Sequence, residues 1–331
     1  MSIKSFICGV AGQALTTAER EFLQREQPYG VILFARNIDN PAQVQTLVAD
    51  IKSCLTHPFA QILIDQEGGR VARMKPPHWR VYPPAFELAQ KPDASRAIYL
   101  NARLIAQELQ SVGITTDCAP LADVLAPECH AIIGDRAFGR DGGTVATLAR
   151  AQAQGLLDGG ILPVLKHIPG HGRATMDSHE ALPVVSATLD ELAACDFIPF
   201  ALLADLPLGM TAHIVYTALD ADRVATCSPT VIQFIRQQIG FGGLLMSDDL
   251  SMKALGGSYE ERTEKTLAAG CDLALHCNGV MDEMQAVAAK SVALAGEALA
   301  RAERAQAMLP THAATPEPTL LAEWQRLLAA A

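Results

Sequence analysis

The feature that most constrains the fold is a repeat of short apolar segments, each followed by a longer stretch with helical periodicity. Eight such pairs run from SFICGVAG near the N-terminus to CDLALHC at residues 271–277. The apolar segments lack the alternation of an exposed sheet, which is typical of parallel strands buried on both faces. Eight consecutive strand–helix units predict a closed (β/α)8 barrel of the TIM type, with a doubly wound open sheet as the alternative.

The later predicted strands lie at residues 30–36, 61–69, 114–124, 161–167, 208–216, 243–251 and 271–277. Helices are predicted over about 94–112, 144–158 and 281–294, and one continuous helix is predicted in TLDELAACDFIPFALLA. After residue 294 the chain has an Ala-rich helix, a Pro-containing break and a last helix. We therefore predict a catalytic barrel over 1–294 and a C-terminal helical extension over 295–331 that packs on it.

Charge and cysteine usage narrow the class of protein. The 331 residues include 26 basic and 36 acidic side chains, a formal net charge of −10 that argues against nucleic acid or an anionic membrane as a partner. No stretch approaches the roughly 20 apolar residues of a membrane helix. The eight cysteines form no CxxC pair, which favours free thiols in a reducing compartment. We expect a cytoplasmic protein, with a monomer favoured.

Titratable residues follow most of the predicted strands, at the barrel end where catalytic residues of this fold lie. They are Asp65, Glu67, Arg73, Asp123, Asp135, Arg136, Arg140, Lys166, His167, His213, Asp248, Asp249 and His276. Structural roles are open for several of them. His213 and His276 fit hydrogen-bonded core histidines, Asp123 and Asp249 fit turn or helix caps, and Lys166 fits an ion pair with one of the acids.

The stretch KHIPGHGRATMDSHE after the fifth strand fits a metal site, a phosphate cradle or a proton-transfer loop. His167 and His171 have a spacing that suits zinc on a helix, but Pro169, Gly170 and Gly172 exclude a regular helix there. Those glycines also do not form a Gly-rich loop that opens a helix. We therefore expect no metal and no cofactor, and a metal-dependent hydrolase is the less favoured alternative.

Five collinear motifs give a more specific indication. IDQEGGRVAR, IGDRAFGRD, KHIPGHG, DSH and SDDLSM occur in this order at the predicted strand ends. Together they resemble the bacterial single-domain β-N-acetylhexosaminidases of glycoside hydrolase family 3, from about Gly30 to Asn278. The resemblance implies a (β/α)8 barrel that hydrolyses a terminal β-linked N-acetylglucosamine with retention of configuration. Retention requires a nucleophile and an acid/base residue.

The resemblance also implies residue roles. Asp248 would be the nucleophile, and His179, oriented by Asp177, would be the acid/base. An imidazole suits that role because its ordinary pKa, about 6.5, lies near neutrality. The residues that would bind the hydroxyls of the terminal sugar are Asp65, Arg73, Arg136, Lys166 and His167. Charged groups suit this task because each can form directed, charge-assisted hydrogen bonds.

The family further implies that the substrate is a small carbohydrate or muropeptide, within the recycling of cell-wall anhydro-muropeptides. Two alternatives stay open on the sequence. One is a glycoside phosphorylase, since a histidine acid/base repels phosphate less than a carboxylate does. The other is a catalytically silent sugar-binding barrel, against which the intact Asp248, Asp177 and His179 argue.

Overall fold

The computed structural model describes residues 2–126, 133–174, 182–310 and 318–330. The strands in chain order are β1 (Lys4–Cys8), β2 (Pro28–Leu33), β3 (Gln61–Ile64), β4 (Thr116–Asp117), β5 (Leu162–Ile168), β6 (Val184–Val185), β7 (Leu208–Thr211), β8 (Val215–Tyr216), β9 (Leu244–Asp249) and β10 (Leu273–His276). All except β6 and β8 form a closed parallel barrel, in the order β1–β10–β9–β7–β5–β4–β3–β2. The predicted (β/α)8 barrel is confirmed.

Helices follow the barrel strands and surround them. They are α1 (Thr17–Glu26), α2 (Pro41–Cys54), α3 (Ala85–Ala89), α4 (Ala94–Ser111), α5 (Gly142–Asp158), α6 (Leu189–Ala194), α7 (Ile198–Leu202), α8 (Pro229–Gln237), α9 (Tyr259–Ala269), α10 (Met281–Lys290), α11 (Gly296–Ala307) and α12 (Pro318–Ala329). Among the described residues, no helix is both long and apolar enough to cross a membrane.

Both faces of the barrel strands are buried, which explains their continuous apolar sequence. On β1, Ile7 belongs to the cluster that fills the barrel lumen together with Val164 and Met246. Its neighbour Phe6 points outward and meets Phe22 of α1 edge-on, with ring centroids 6.2 Å apart. Successive side chains of one strand therefore serve two apolar layers.

Two predicted elements are wrong in their extent. The apolar run 208–216 is not one strand, because barrel pairing of β7 ends at Thr211 and residues Val215–Tyr216 pair with β6 in a separate two-stranded sheet. The predicted helix over TLDELAACDFIPFALLA is two short helices, α6 and α7. Cys195 between them has φ −143°, outside the helical region, and Pro199 cannot donate a backbone hydrogen bond to α6.

The end of α10 is also earlier than predicted. The helix stops at Lys290, and the chain then runs extended beside the first strand. Ser5 donates its N–H to Val292 O at 2.8 Å, and Leu294 donates its N–H to Ile3 O at 2.7 Å. Pairing with the chain around β1 replaces the last helical turn.

The two C-terminal helices pack against different parts of the barrel. Ala302 of α11 joins the lumen cluster, and Arg301 binds Asp272, just before β10, at 2.9 Å. Helix α11 therefore covers the N-terminal end of the barrel. Helix α12 lies outside against α4, where Glu323 accepts two hydrogen bonds from Arg96. The boundary at residue 294 stays a prediction.

Candidate active site

A cavity of about 250 Å³ opens at the C-terminal ends of the barrel strands. Its lining consists of Ile32, Phe34, Asp65, Arg70, Val71, Arg73, Ile133, Arg136, Lys166, His167, His171, Met210, Asp248, Asp249, Leu275 and Cys277. Six of the eight residues predicted for the site line this one cavity. The other two, Asp177 and His179, lie outside the described residues.

Lys166 of β5 stands between two carboxylates that follow β3. Its Nζ is 3.1 Å from Asp65 Oδ1 and 2.6 Å from Glu67 Oε1, and its side chain is almost fully buried. Burial alone would lower the pKa of Lys166, but Glu67 and Asp65 outweigh it and raise the pKa above its usual value. The lysine is therefore charged at any physiological pH. The ion pair that the sequence allowed for Lys166 is present, and its predicted role in binding the sugar stays a prediction.

Each of the two carboxylates also binds an arginine. Arg73 donates from Nη2 to Asp65 Oδ2 at 2.9 Å, while Arg136 donates from Nε and Nη2 to the two oxygens of Glu67 at 2.9 and 2.7 Å. Burial would raise the pKa of Glu67, but Arg136 and Lys166 lower it to about 2. We call the resulting series Arg73–Asp65–Lys166–Glu67–Arg136 the charge ladder. It holds three cations and two anions in fixed order.

A buried acid lies beside the charge ladder. Asp117, at the end of β4, is fully buried and accepts a hydrogen bond from the backbone N–H of Gln66 at 2.9 Å. Its other oxygen has no hydrogen-bond partner among the described residues. Burial raises the pKa of Asp117 to about 7, with Lys166 acting in the opposite direction.

Asp123 organises the two histidines after β5. It accepts from His167 Nδ1 at 2.8 Å and from the backbone N–H of His171 at 2.6 Å. The two rings meet edge-on with centroids 5.5 Å apart. Burial, with the neighbouring His167, lowers the pKa of His171 to about 4, so that ring is neutral at pH 7. The arrangement fixes Nδ1 of His167 against Asp123 and leaves Nε2 as its second donor or acceptor position.

The chain on both sides of His171 can turn because it carries glycines. Gly170 has φ +143°, and a Cβ at Gly172 would lie 1.7 Å from Val124 O. The hydroxyl of Tyr216 donates to Gly170 O and fastens the turn to β8. The predicted role of Gly170 and Gly172 in this turn is confirmed.

The two aspartates at the end of β9 have different surroundings. Asp249 accepts from the N–H of Cys277 at 3.1 Å and from both the N–H and the hydroxyl of Ser251, so its carboxylate closes the turn after the strand. Asp248 lines the cavity and accepts from the N–H of Asp249 at 2.8 Å. Buried His213 lies within 3.1 Å of Asp249 O through Nε2, which anchors this turn further.

Sequence reasoning missed three contributors to the site. Glu67 and Asp123 were candidates only as strand-end acids, and His171 only as part of a rejected metal spacing. The sequence did indicate these three residues, since each follows a buried strand, but it did not show which residues they would contact. Among the described residues, no group of three or more histidine, cysteine or acidic side chains is placed to hold a metal ion.

Comparisons with known proteins agree with this geometry. The family model of the glycosyl hydrolase family 3 N terminal domain matches residues 6–308. A beta-hexosaminidase of Chromobacterium violaceum is 37% identical over 341 residues, which cover 97% of this chain and 88% of that protein. The crystal structure of NagZ from Neisseria gonorrhoeae in complex with N-trifluoroacetyl-D-glucosamine superposes with a TM-score of 0.89 at 32% identity, covering 99% of this chain and 98% of that one.

A second structure of the Neisseria gonorrhoeae protein, in complex with zinc ion, has a TM-score of 0.84 at 32% identity, covering 99% of this chain and 97% of that one. The barrel, the polar cavity at its C-terminal end and these matches together define a glycoside hydrolase. The chain belongs to glycosyl hydrolase family 3, and the predicted family is confirmed.

Proposed function

We propose that the protein is a retaining exo-β-N-acetylglucosaminidase that removes terminal N-acetylglucosamine from anhydro-muropeptides in the cytoplasm. The observation that carries the proposal is one cavity lined by His167, Asp248 and every member of the charge ladder except Glu67. Its volume of about 250 Å³ lies just below the range of about 300–1,000 Å³ usual for ligand sites. A cavity of this size suits one terminal sugar, which favours action at a chain end.

The charge ladder provides the sugar-binding groups in a fixed arrangement. Asp65 and Arg73 are already paired, so their remaining donor and acceptor positions are oriented before substrate arrives. Arg136 and Lys166 are held likewise by Glu67. Neighbouring hydroxyls of a sugar match such alternating donors and acceptors.

The chemistry proposed for Asp248 is a double displacement. Its carboxylate attacks the anomeric carbon, the glycosidic bond breaks, and the leaving oxygen takes a proton from His179. In the second step His179 removes a proton from water, the water attacks the anomeric carbon, and the bond to Asp248 breaks. Asp248 is preferred to Asp249 because three donors already occupy the carboxylate of Asp249.

The acid/base assignment of His179 with Asp177 rests on the DSH motif and on membership of the family. Asp177 would orient the imidazole and stabilise its charged form. The nature of the sugar is supported by relatives, since the Neisseria gonorrhoeae protein was crystallised with N-trifluoroacetyl-D-glucosamine and the Chromobacterium violaceum protein is named a beta-hexosaminidase.

The test compares chromogenic β-N-acetylglucosaminide with the matched β-glucoside, in buffer with and without phosphate. We expect turnover of the first only, at a rate independent of phosphate, with the β-anomer of N-acetylglucosamine appearing first in NMR spectra. Sugar-1-phosphate as the product would establish phosphorolysis instead. The α-anomer as the first product would contradict the double displacement, and no turnover of either substrate would contradict the proposed activity.

A further inference from the structure

His213 follows β7 at the end of the barrel where the active site opens, and its side chain is fully buried. Strand β7 pairs with β9, the strand that ends in Asp248 and Asp249. The ring of His213 has a polar partner at each nitrogen. Nε2 lies 3.1 Å from Asp249 O, and Nδ1 lies 2.8 Å from Thr226 Oγ1. The ring therefore connects the end of β9 to the segment that precedes α8.

The hydrogen bonds of this ring define its tautomer. A carbonyl oxygen can only accept, so Nε2 of His213 carries the proton that Asp249 O accepts. Burial lowers the pKa of His213, so the ring is uncharged at pH 7. Nδ1 is then an acceptor, and the hydroxyl of Thr226 donates to it rather than to Ala212 O at 3.1 Å. Thr226 Oγ1 in turn accepts from Thr211 Oγ1 at 2.7 Å. The two buried threonines thus fix the direction of each hydrogen bond along this chain.

The main chain of Asp249 connects His213 to the proposed nucleophile. The carbonyl oxygen of Asp249 is held by His213, while its N–H donates to Asp248 Oδ1 at 2.8 Å. The same carbonyl oxygen accepts from the N–H of Met252 at 3.1 Å, so the turn after β9 has a hydrogen bond of its own. His213 adds a contact from this turn to the neighbouring barrel strand. Movement of the Asp249 main chain would therefore change the orientation of the Asp248 carboxylate.

We propose that His213 is a positioning residue for Asp248, which acts through the main chain of Asp249 as a neutral ring that donates from Nε2. The inference rests on the proposed function, in which the Asp248 carboxylate attacks the anomeric carbon. Misplacement of a reacting group by about 1 Å can lower a rate about 10²-fold. His213 is not among the residues that line the active-site cavity. Its loss therefore disturbs the attacking group and leaves the charge ladder in place.

The test compares two substitutions with side chains of nearly equal volume. His213→Gln keeps an N–H donor near the position of Nε2, whereas His213→Met removes the donor. The measurements are the pre-steady-state rate of glycosyl-enzyme formation from an activated aryl N-acetylglucosaminide and the inhibition constant of free N-acetylglucosamine. We expect His213→Met to slow glycosyl-enzyme formation about 10²-fold, with a change in the inhibition constant of less than about twofold. His213→Gln should recover about tenfold of that loss, because it restores a donor to the Asp249 carbonyl.

His57 provides a matched control for the loss of a buried histidine. Its Nε2 also lies close to a main-chain oxygen, at 2.8 Å from Pro28 O, and its side chain is buried. Pro28 begins β2, so this contact is at the opposite end of the barrel. His57→Met should lower the melting temperature, as His213→Met does, without slowing glycosyl-enzyme formation. An unchanged rate in His213→Met, an equal loss in His213→Gln, or an equal loss in His57→Met would each overturn the positioning role.

NMR tests the tautomer without any turnover. In protein labelled with ¹⁵N-histidine, we expect His213 to have a protonated Nε2 and an unprotonated Nδ1 at pH 7. The signal is assigned by its absence from His213→Gln. Protonation at Nδ1 would overturn the proposed hydrogen-bond chain even if the variants lose activity. Absence of turnover by wild type would contradict the proposed function and, with it, the role of His213.

Discussion

Lys166 Nζ and Glu67 Oε1 are 2.6 Å apart, with side chains that are 3% and 8% exposed. Lys166 belongs to β5 and Glu67 follows β3, and each neutralises a buried charge that would otherwise be unpaired. Arg136 completes this contact by binding both oxygens of Glu67. Glu67 thus positions two of the proposed sugar-binding cations without belonging to the predicted set.

Glu67→Gln tests this positioning role. Gln keeps the shape but removes the charge from beside Lys166 and Arg136, and breaking a buried pair typically costs about 3–5 kcal/mol. We expect a lower melting temperature and a loss of kcat/KM of about 10²-fold, mainly in KM, because the clamp on the sugar loosens. The control is Glu323→Gln, which removes an equally bidentate but more exposed pair with Arg96. Wild-type kinetics in Glu67→Gln would refute the role.

Asp117 should make stability depend on pH. Its pKa is about 7 in the folded protein, against about 3.9 in an unfolded chain. Between these values the unfolded chain binds fewer protons, so the free energy of unfolding falls as pH rises from about 4 to about 7, by at most about 4 kcal/mol. Urea unfolding at pH 5 and 7.5 should show a smaller change in Asp117→Asn than in wild type. Exposed Asp39→Asn should behave as wild type; an unchanged pH response in Asp117→Asn would contradict the burial argument.

Asp248 should become covalently glycosylated during turnover. A 2-deoxy-2-fluoro or 5-fluoro glycoside that forms the intermediate faster than it breaks down would trap it, and mass spectrometry of the digested protein locates the sugar. We expect the label on Asp248, since the carboxylate of Asp249 is occupied by Ser251 and Cys277. Label on Asp249 would reverse the assignment within the pair.

His179 should matter most where the leaving group needs a proton. General acid–base catalysis contributes about 10²–10⁴-fold, so His179→Ala should lose that much on a natural disaccharide. An activated aryl glycoside should lose much less in the first step, and the glycosyl-enzyme should accumulate in a stopped assay. Asp177→Asn should give a milder form of the same pattern. An equal loss on both leaving groups would indicate a binding or structural role instead.

Chelation should leave activity unchanged. The ring contact between His167 and His171 and the pairing of His167 with Asp123 use these residues in a hydrogen-bonded cluster. Prolonged dialysis against a chelator, followed by assay of the chromogenic substrate, is the measurement. Activity that falls and returns on addition of zinc would support the metal-dependent alternative.

The barrel could be predicted because each strand is a short apolar run followed by a helix. The ends of the elements could not be predicted equally well. Residues 208–216 are mostly apolar, but only the first four belong to the barrel, since apolar content indicates burial and not which strand pairs with which. Likewise, residues 291–294 continue a helical pattern, yet they pair with the chain at Ile3 and Ser5.

The site residues could be predicted by type and by position, but their pairing could not. Glu67 is 69 residues from Arg136, and Asp123 is 44 residues from His167. Such partners meet only because the barrel closes and brings the ends of β3, β4 and β5 together. From the sequence alone, Asp123 could equally well have capped a turn. Its pairing with His167 becomes evident only once the closed barrel brings the two residues together.

The position of α11 has a consequence for engineering. Ala302 of this helix packs in the lumen cluster with Leu244 and Leu273, and Arg301 binds Asp272 at the start of β10. A chimaera that exchanged strand–helix units with another barrel but ended at residue 294 would expose the floor of the lumen to water. Helix α11 (Gly296–Ala307) thus closes the N-terminal end of the barrel lumen, and a transplanted barrel needs an equivalent segment to keep its core away from water.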